Sequence, residues 1–149
     1  MAKSIVFAPG VWDMLHFGHL QLIAKARRLG DKLIIGLNTD ESVKRLKGNQ
    51  RPIIPYNQRY ECLMAVRWVD EVIPIFEDNP CSLIEHMKPD IVVKGRGYDS
   101  HRMIEAAIVE SYGGRIVCFD GPDISTTQIL QRLNHDAYSD RRIIGELED

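Results

Sequence analysis

Two histidines three residues apart, His16 and His19, flank Gly18 and have the type and spacing needed for chemistry. They follow an apolar run at residues 5–8 and precede apolar residues at helical spacing, so they mark a strand that turns into a helix. A helix start carries unpaired backbone N–H groups and the positive end of the peptide dipoles, and it therefore favours phosphate. Two histidine donors there predict a site that holds and polarises a phosphate chain.

Three interpretations of this pair are open from the residues alone. The rings could cap the helix, bind a metal together with Asp13, or donate hydrogen bonds to phosphate. Catalytic zinc normally takes three protein ligands with supporting groups, and the sequence offers no obvious further histidine for that role. We therefore expect no metal held by protein ligands.

The elements that must position these side chains alternate along the chain. Apolar runs of strand length lie at residues 5–8, 33–37, 71–75, 91–93 and 116–119, and helical spacing occurs at residues 20–29, 59–66, 81–87, 103–112 and 129–133. Runs rich in Val and Ile with little alternation are typical of a parallel sheet buried on both faces. The predicted fold class is α/β, a single-domain, doubly wound, five-stranded parallel sheet.

Polar clusters follow four of the five predicted strands. Ligands of such sheets bind outside the carboxyl ends of the strands, so these clusters predict one shared site. They are residues 10–19, residues 38–48 with Lys44 and Lys47, residues 94–99, and residues 121–127 with Ser125 and Thr126. Lys44, Arg45 and Lys47 are placed to neutralise a triphosphate, unless they form only a solvated basic face. The two hydroxyl residues suit a helix N-cap as well as a phosphate site.

Composition excludes several classes of function. The chain has 149 residues, 44% hydrophobic and 27% charged, which is typical of one soluble globular domain, and its net charge of −2 argues against a nucleic-acid partner. No apolar run approaches the roughly 20 residues that span a bilayer, so we expect no membrane association, and we expect no secretory leader. Three widely spaced cysteines predict reduced thiols and a cytoplasmic location.

The chain is expected to divide into a domain at residues 1–138 and a charged tail at residues 139–149. That tail is predicted to be either frayed or a short helix packed on a partner. Neither a G-x-x-x-x-G-K-S/T loop nor a G-x-G-x-x-G turn follows the first strand, which disfavours a conventional kinase or dinucleotide dehydrogenase.

Residues 10–19, GVWDMLHFGH, resemble the G-x-F-D-x-x-H-x-G-H signature of the cytidylyltransferase-like nucleotidyltransferases, with Trp12 in place of the usual Phe. Residues 124–127, ISTT, are similar to the second signature of that superfamily. The resemblance runs to about His135 and is greatest to the adenylyltransferase domain of ADP-heptose synthesis enzymes, with glycerol-3-phosphate cytidylyltransferases nearly as similar in layout. The loops at residues 95–99 and 120–123 depart from these relatives.

The resemblance implies attack of a phosphate-bearing acceptor on the α-phosphorus of a nucleoside triphosphate, with Mg²⁺ accompanying the triphosphate. It implies catalytic roles for His16, His19 and Lys47, and a homodimer, which is common in the family. The nucleotide-binding residues that it implies are Phe7, Ala8, Gly10, Val11, Gly18, Lys44, Lys94, Gly95, Ser125, Thr126 and Thr127, with Asp13, Arg59, Arg96 and Asp99 as further candidates. Asp13 is expected to order the turn rather than to transfer protons.

Three functions are compatible with this resemblance. The first is transfer from ATP to heptose 1-phosphate, a step toward cell-surface polysaccharide precursors. The second is transfer from CTP to glycerol 3-phosphate or a similar acceptor, which the departure at residues 120–123 weakens. The third is a catalytically idle nucleotide-sensing module, against which the intact His16, His19 and Lys47 argue.

Overall fold

The computed structural model describes residues 2–95 and 104–145, with side chains described as far as residue 135. Strands and helices alternate along it. The strands are β1 (Ile5–Gly10), β2 (Lys32–Asn38), β3 (Glu71–Ile75), β4 (Ile91–Lys94) and β5 (Arg115–Cys118). The helices are α1 (Phe17–Arg27), α2 (Asp40–Lys47), α3 (Tyr56–Met64), α4 (Cys81–Met87), α5 (Ile104–Ser111) and α6 (Thr126–Gly145).

The five strands form one parallel sheet in the order β3-β2-β1-β4-β5. β1 lies at the centre, where Phe7 is level with Ile34 of β2 and Val92 of β4. From β1 the chain builds outward to β3 and then returns to the other side of β1 for β4 and β5. The strand order therefore reverses between β1 and β4, which is where doubly wound sheets bind ligands. The predicted Rossmann-like fold is confirmed.

Two apolar layers cover the sheet, one on each face. Val6 of β1 points into the layer that contains Ile23 of α1, and its neighbour Phe7 points into the layer that contains Ile84 of α4 and Val109 of α5. Successive side chains of a strand point to opposite faces, so a strand covered on both faces needs apolar residues at every position. This burial explains the continuous Val- and Ile-rich runs of the sequence.

Two helices differ most from the sequence prediction. The prediction lacks α2, because the charged run after Asn38 has the composition of a loop. Thr39 caps this helix by accepting from the Ser42 N–H at 3.3 Å, and Gly48 ends the helix with a φ of 95°. α6 is longer than the predicted segment at residues 129–133 and continues past residue 138. The division into domain and tail stays a prediction. Across the described part of the chain, no helix combines the length and apolar character that a membrane span requires.

Candidate active site

The turn from β1 into α1 contains two residues with left-handed backbone, Trp12 and Met14, each with a φ of 52°. Residues other than glycine keep such conformations only where surrounding contacts fix them. The buried Trp12 indole donates from Nε1 to the carbonyl oxygen of Gly36 at 3.2 Å, which ties the turn to β2. The turn is thus attached to the sheet just before the histidines.

Asp13, between those two residues, is buried, and the protein itself supplies donors to both of its carboxylate oxygens. They accept from the backbone N–H groups of Ile53 at 2.8 Å and Ile54 at 2.9 Å, and from Nε of Arg51 at 3.0 Å. These bonds attach the loop before α3 to the turn after β1. The structure therefore gives Asp13 an ordering role in the turn.

His16 and His19 cap the start of α1. His16 is the N-cap residue and accepts from the Gly18 N–H through Nδ1 at 3.1 Å, while Nδ1 of His19 accepts from the His16 N–H at 3.4 Å. This reciprocal arrangement is a capping box, which usually consists of Ser or Thr with Glu or Gln. The two rings stack with centroids 3.8 Å apart. A Cβ at Gly18 would lie 3.0 Å from Cε1 of His16, so a larger residue there would displace that ring.

Burial favours the neutral form of both imidazoles. Burial lowers the pKa of His16, and burial together with the neighbouring His16 lowers the pKa of His19 from 6.5 to about 4, against an opposing effect of Asp13. A neutral imidazole that accepts through Nδ1 carries its proton on Nε2. Each ring therefore offers one Nε2–H donor, and this pair of donors is fixed by the helix cap itself.

A cleft of about 450 Å³ opens beside these rings, and we call it the first cleft. Its walls are formed by the turn after β1, by α1, by the end of α2 and by the start of α6. Both histidines line it, together with three cationic side chains, Lys25, Lys47 and Arg51. Cations and neutral donors that converge on a concave site suit a ligand with several phosphates.

The start of α6 forms one wall of the first cleft. Thr126 is buried there, and its hydroxyl donates to the carbonyl oxygen of Asp13 at 2.6 Å. Ser125 accepts from the Gln128 N–H through Oγ at 3.2 Å, as an N-cap residue does. The second motif of the sequence is thereby joined to the first, and the N-terminus of α6 lines the same cleft as that of α1.

A second cleft of about 320 Å³ lies at the carboxyl ends of β1, β2 and β4. It shares Val11 and Lys47 with the first cleft, so the end of β1 separates the two. Asn38, Asp78 and Asn79 contribute polar side chains to its walls. Lys47 thus stands at the junction of two cavities.

The structure brings most of the predicted site residues to these clefts. The first is lined by Val11, Asp13, His16, Gly18, His19, Lys47, Gly95, Ser125, Thr126 and Thr127, and the second by Gly10, Val11, Lys47 and Lys94. Phe7 and Ala8 are buried within β1 and line neither cleft. Lys44 lies outside both clefts, where Nζ is 3.2 Å from Oε1 of Glu41. Arg96 and Asp99 lie outside the described residues.

The expectation that Arg59 reaches phosphate does not fit its position, because the side chain is 1% exposed and lines neither cleft. Its Nε donates to the carbonyl oxygen of Ile54, and its Nη1 donates to the carbonyl oxygens of Val11 and Asn38; these three distances are 2.8 Å. Its Nη2 donates to Oδ1 of Asp40 at 2.7 Å. Arg59 therefore joins the segments that follow β1 and β2 and stabilises them without lining either cleft.

Sequence reasoning missed three residues of the first cleft, Lys25, Arg51 and Gln128. Arg51 and Lys25 are cations on its wall, and Gln128 carries a buried Oε1 that has no hydrogen-bond partner in the described structure. A buried acceptor of this kind requires an explanation, and a donor on a bound ligand would supply one. No spacing pattern indicates these residues, since they come from separate elements that only the fold brings together.

The described residues contain no group of three or more His, Cys, Asp or Glu side chains placed to hold a metal ion. Asp13, the carboxylate next to the histidines in sequence, already accepts three hydrogen bonds from protein donors. A metal in this cleft would therefore depend on ligands other than a protein cage.

Comparison with known proteins agrees with this geometry. The family model described as cytidylyltransferase-like matches residues 7–132. The chain belongs to that family. The match includes both capped helix starts that line the first cleft.

Curated relatives of this cytidylyltransferase-like chain are longer proteins. The bifunctional protein HldE of Syntrophotalea carbinolica is 46% identical over 132 residues, and that of Geotalea uraniireducens is 46% identical over 134 residues. Each match covers 88% of this chain and 27% of the relative, so the chain spans about a quarter of their length.

Solved structures share the fold of this family member. A lipopolysaccharide core biosynthesis protein from Thermoplasma volcanium matches with a TM-score of 0.65 and 26% identity, covering 83% of this chain and 100% of that one. A pantoate-beta-alanine ligase from Francisella tularensis matches with a TM-score of 0.55 and 16% identity, over 79% of this chain and 59% of that one. The second likeness shows the fold alone.

Proposed function

We propose that this chain transfers a nucleoside monophosphate from a nucleoside triphosphate to a sugar phosphate and releases pyrophosphate. The substrates we favour are ATP and heptose 1-phosphate, because the similar proteins include HldE and a lipopolysaccharide core biosynthesis protein. The observation that carries the proposal is the neutral pair of His16 and His19 on the wall of a cleft that shares Lys47 with a second cleft.

The first cleft receives the triphosphate in this proposal. The Nε2–H groups of His16 and His19 donate to phosphate oxygens, and Lys47 and Arg51 supply positive charge beside them. Negative charge grows on the leaving pyrophosphate as its bond to the α-phosphorus breaks. Donors that are already in place at that point stabilise the transition state without reorganisation. Ser125 and the N-terminus of α6 offer further donors for the β- and γ-phosphates.

The second cleft receives the acceptor, whose phosphate lies toward Lys47. One oxygen of that phosphate forms a bond to the α-phosphorus, while the bond from the α-phosphorus to the bridging oxygen breaks and its electron pair leaves with pyrophosphate. The attacking phosphate is already an anion, so no protein base has to remove a proton. Positioning and charge stabilisation account for most of the catalysis of such a transfer. Asp13 is therefore not needed as a base, which agrees with the bonds of its carboxylate to protein donors.

Magnesium enters this proposal bound to the triphosphate, where it neutralises phosphate charge. Mg²⁺ keeps several waters and usually binds through substrate phosphates with one or two carboxylates. The donor set of the first cleft fits that mode, since Asp13 is engaged by the protein and Asp123 also lines the cleft. The protein residues would thus position the phosphates, and Mg²⁺ bound to those phosphates would supply charge neutralisation.

The second candidate is transfer from CTP to glycerol 3-phosphate or a similar acceptor. The observation that favours it is the cytidylyltransferase-like description of the family that matches residues 7–132. Both candidates use the same histidines and the same two clefts. They differ in the base and in the part of the acceptor that lies beyond its phosphate.

A pyrophosphate-release screen tests the proposal. ATP, CTP, GTP and UTP are each combined with heptose 1-phosphate, glycerol 3-phosphate and other sugar and polyol phosphates, and the products are identified by mass. We expect pyrophosphate and a nucleoside-diphosphate sugar with ATP and heptose 1-phosphate. A product from CTP and glycerol 3-phosphate would select the second candidate, and nucleotide binding with no turnover for any pair would indicate the idle module.

A further inference from the structure

A buried ion pair that the transfer described above does not use lines the second cleft. Nζ of Lys94, the last residue of β4, is 2.8 Å from Oε1 of Glu105 in the first turn of α5. The two side chains are 8% and 7% exposed. Both residues line the cleft, together with Gly10 at the end of β1 and Asn38 at the end of β2.

Stability alone is a weak reason for such a pair. Removing two charges from water is unfavourable, and their mutual attraction commonly returns only part of that free energy, so packed apolar residues are often as stable at such a place. The sheet around this pair is apolar, with Val92 and Val93 of β4 both buried. A polar pair where this apolar strand meets a cavity therefore points to a ligand in that cavity.

The chemistry of the pair indicates which part of a ligand it would bind. An ammonium group and a carboxylate side by side offer one donor and one acceptor with no net charge. A hydroxyl group both accepts and donates a hydrogen bond, so it can bond to each of them at once. A phosphate is repelled by the Glu105 carboxylate, and Lys47 at the junction of the clefts is better placed for it.

We infer that Lys94 and Glu105 together bind a hydroxyl group of the acceptor and so determine which sugar or polyol phosphate this chain accepts. The inference rests on the proposed function and assigns Lys94 to the acceptor rather than to the nucleotide. Asp78 and Asn79 add polar side chains to the same cleft, as expected of a site for a ligand with several hydroxyl groups. The phosphate end and the hydroxyl end of the acceptor are thereby bound by different residues.

Calorimetric titration tests this without turnover. The wild-type chain, Glu105→Gln and the control Glu71→Gln are titrated with heptose 1-phosphate and its monodeoxy analogues. Glu71 forms a partly exposed ion pair with Lys32 and lines neither cleft. We expect the loss of one hydroxyl from the ligand to weaken its binding to the wild type at least tenfold. Glu105→Gln should bind the parent compound at least tenfold more weakly than the wild type does. This variant should also bind the parent compound and that deoxy analogue with equal affinity. The control is expected to behave as wild type, and all three proteins to bind a non-hydrolysable ATP analogue within twofold.

Three results would overturn the inference: discrimination retained in Glu105→Gln, equal wild-type affinity for every deoxy analogue, or no binding of sugar or polyol phosphates by the wild type. If circular dichroism shows that Glu105→Gln does not fold, the double variant Lys94→Met, Glu105→Leu replaces it, because the double variant leaves no unpaired charge. The same losses of affinity and of discrimination between the analogues are expected. The proposed function fails separately, when the wild type binds both substrates but the screen detects no pyrophosphate.

Discussion

The hydroxyl of Thr126 donates a 2.6 Å hydrogen bond to the carbonyl oxygen of Asp13, which joins residues 113 positions apart. It connects the start of α6 directly to the turn that carries His16. The two helix starts that line the first cleft are thus held together by one buried bond. The width of the proposed phosphate site depends on it.

Replacing Thr126 with Val keeps the shape of the side chain and removes the donor. We expect the free energy of unfolding to fall by about 1–3 kcal/mol, because the buried Asp13 carbonyl loses this partner. The Michaelis constant for the nucleoside triphosphate should rise as α6 shifts. Urea unfolding measures the first effect. Thr127→Val, at an exposed threonine, is the matched control and should change stability by under about 0.5 kcal/mol.

Substitution can separate the capping role of the histidines from their proposed catalytic role. His16→Asn retains a good N-cap residue but loses the Nε2–H donor, so we expect near-normal stability with kcat lowered at least about 10²-fold. His19→Ala should lower kcat to a similar degree. The control is His86→Asn, at an exposed position on α4. Steady-state turnover by His16→Asn close to that of the wild type would refute the catalytic assignment.

The depressed pKa of His19 predicts a dependence of stability on pH. The unfolded chain binds a proton near pH 6.5 and the folded chain only near pH 4, so stability is full above pH 6.5 and decreases as the pH falls toward 4. The loss from this residue amounts to about 3 kcal/mol in order of magnitude. Protonation would also place an N–H at Nδ1 opposite the His16 N–H. Melting temperatures measured from pH 4 to 8 should decrease less steeply for His19→Asn than for the wild type.

Asp13 should prove a stabilising residue with an indirect effect on activity. Asp13→Ala leaves the Arg51 guanidinium and two backbone N–H groups without their acceptor, and we expect a loss of about 3–5 kcal/mol. Glu41→Gln removes an exposed pair and should cost under about 1 kcal/mol. Denaturant unfolding compares the two. Equal losses would contradict the buried role of Asp13.

Lys47 lines both clefts, so its loss should affect both substrates. We expect Lys47→Met to lower kcat/KM by about 10²-fold or more for the triphosphate and for the acceptor alike. Lys32→Met is the control, because Lys32 begins β2 at the other end of the sheet and pairs with Glu71. Lys44→Met should have a smaller effect than Lys47→Met, because Lys44 lies outside both clefts. An effect confined to one substrate would argue against the shared position.

The sequence predicts the sheet well because burial on both faces leaves a clear chemical pattern. The observed bounds of β3 and α4 are the predicted ones. α2 escapes prediction because six of its eight residues are polar or charged, and its two apolar residues, Val43 and Leu46, are too few to set a helical period. Its caps, Thr39 and Gly48, are the signals that identify it in retrospect.

The site is predictable where its chemistry is local and not where it depends on distant segments. His16 and His19 act on each other across one turn, so their spacing carries the information. The roles of Arg59 and Arg51 depend on which loop carbonyls and carboxylates the fold brings beside them. Both arginines precede α3 or lie within it, and only the three-dimensional structure shows that one is buried and the other lines the cleft.

The reciprocal cap at the start of α1 has a consequence for protein engineering. Ser at position 16 and Glu at position 19 would form the common version of that motif, and a selection for thermal tolerance alone would favour them. The resulting chain would have higher thermal stability and no imidazole in the first cleft. Heat resistance and the proposed catalytic role therefore compete for the same two positions, and a library screened for stability should also be screened for turnover.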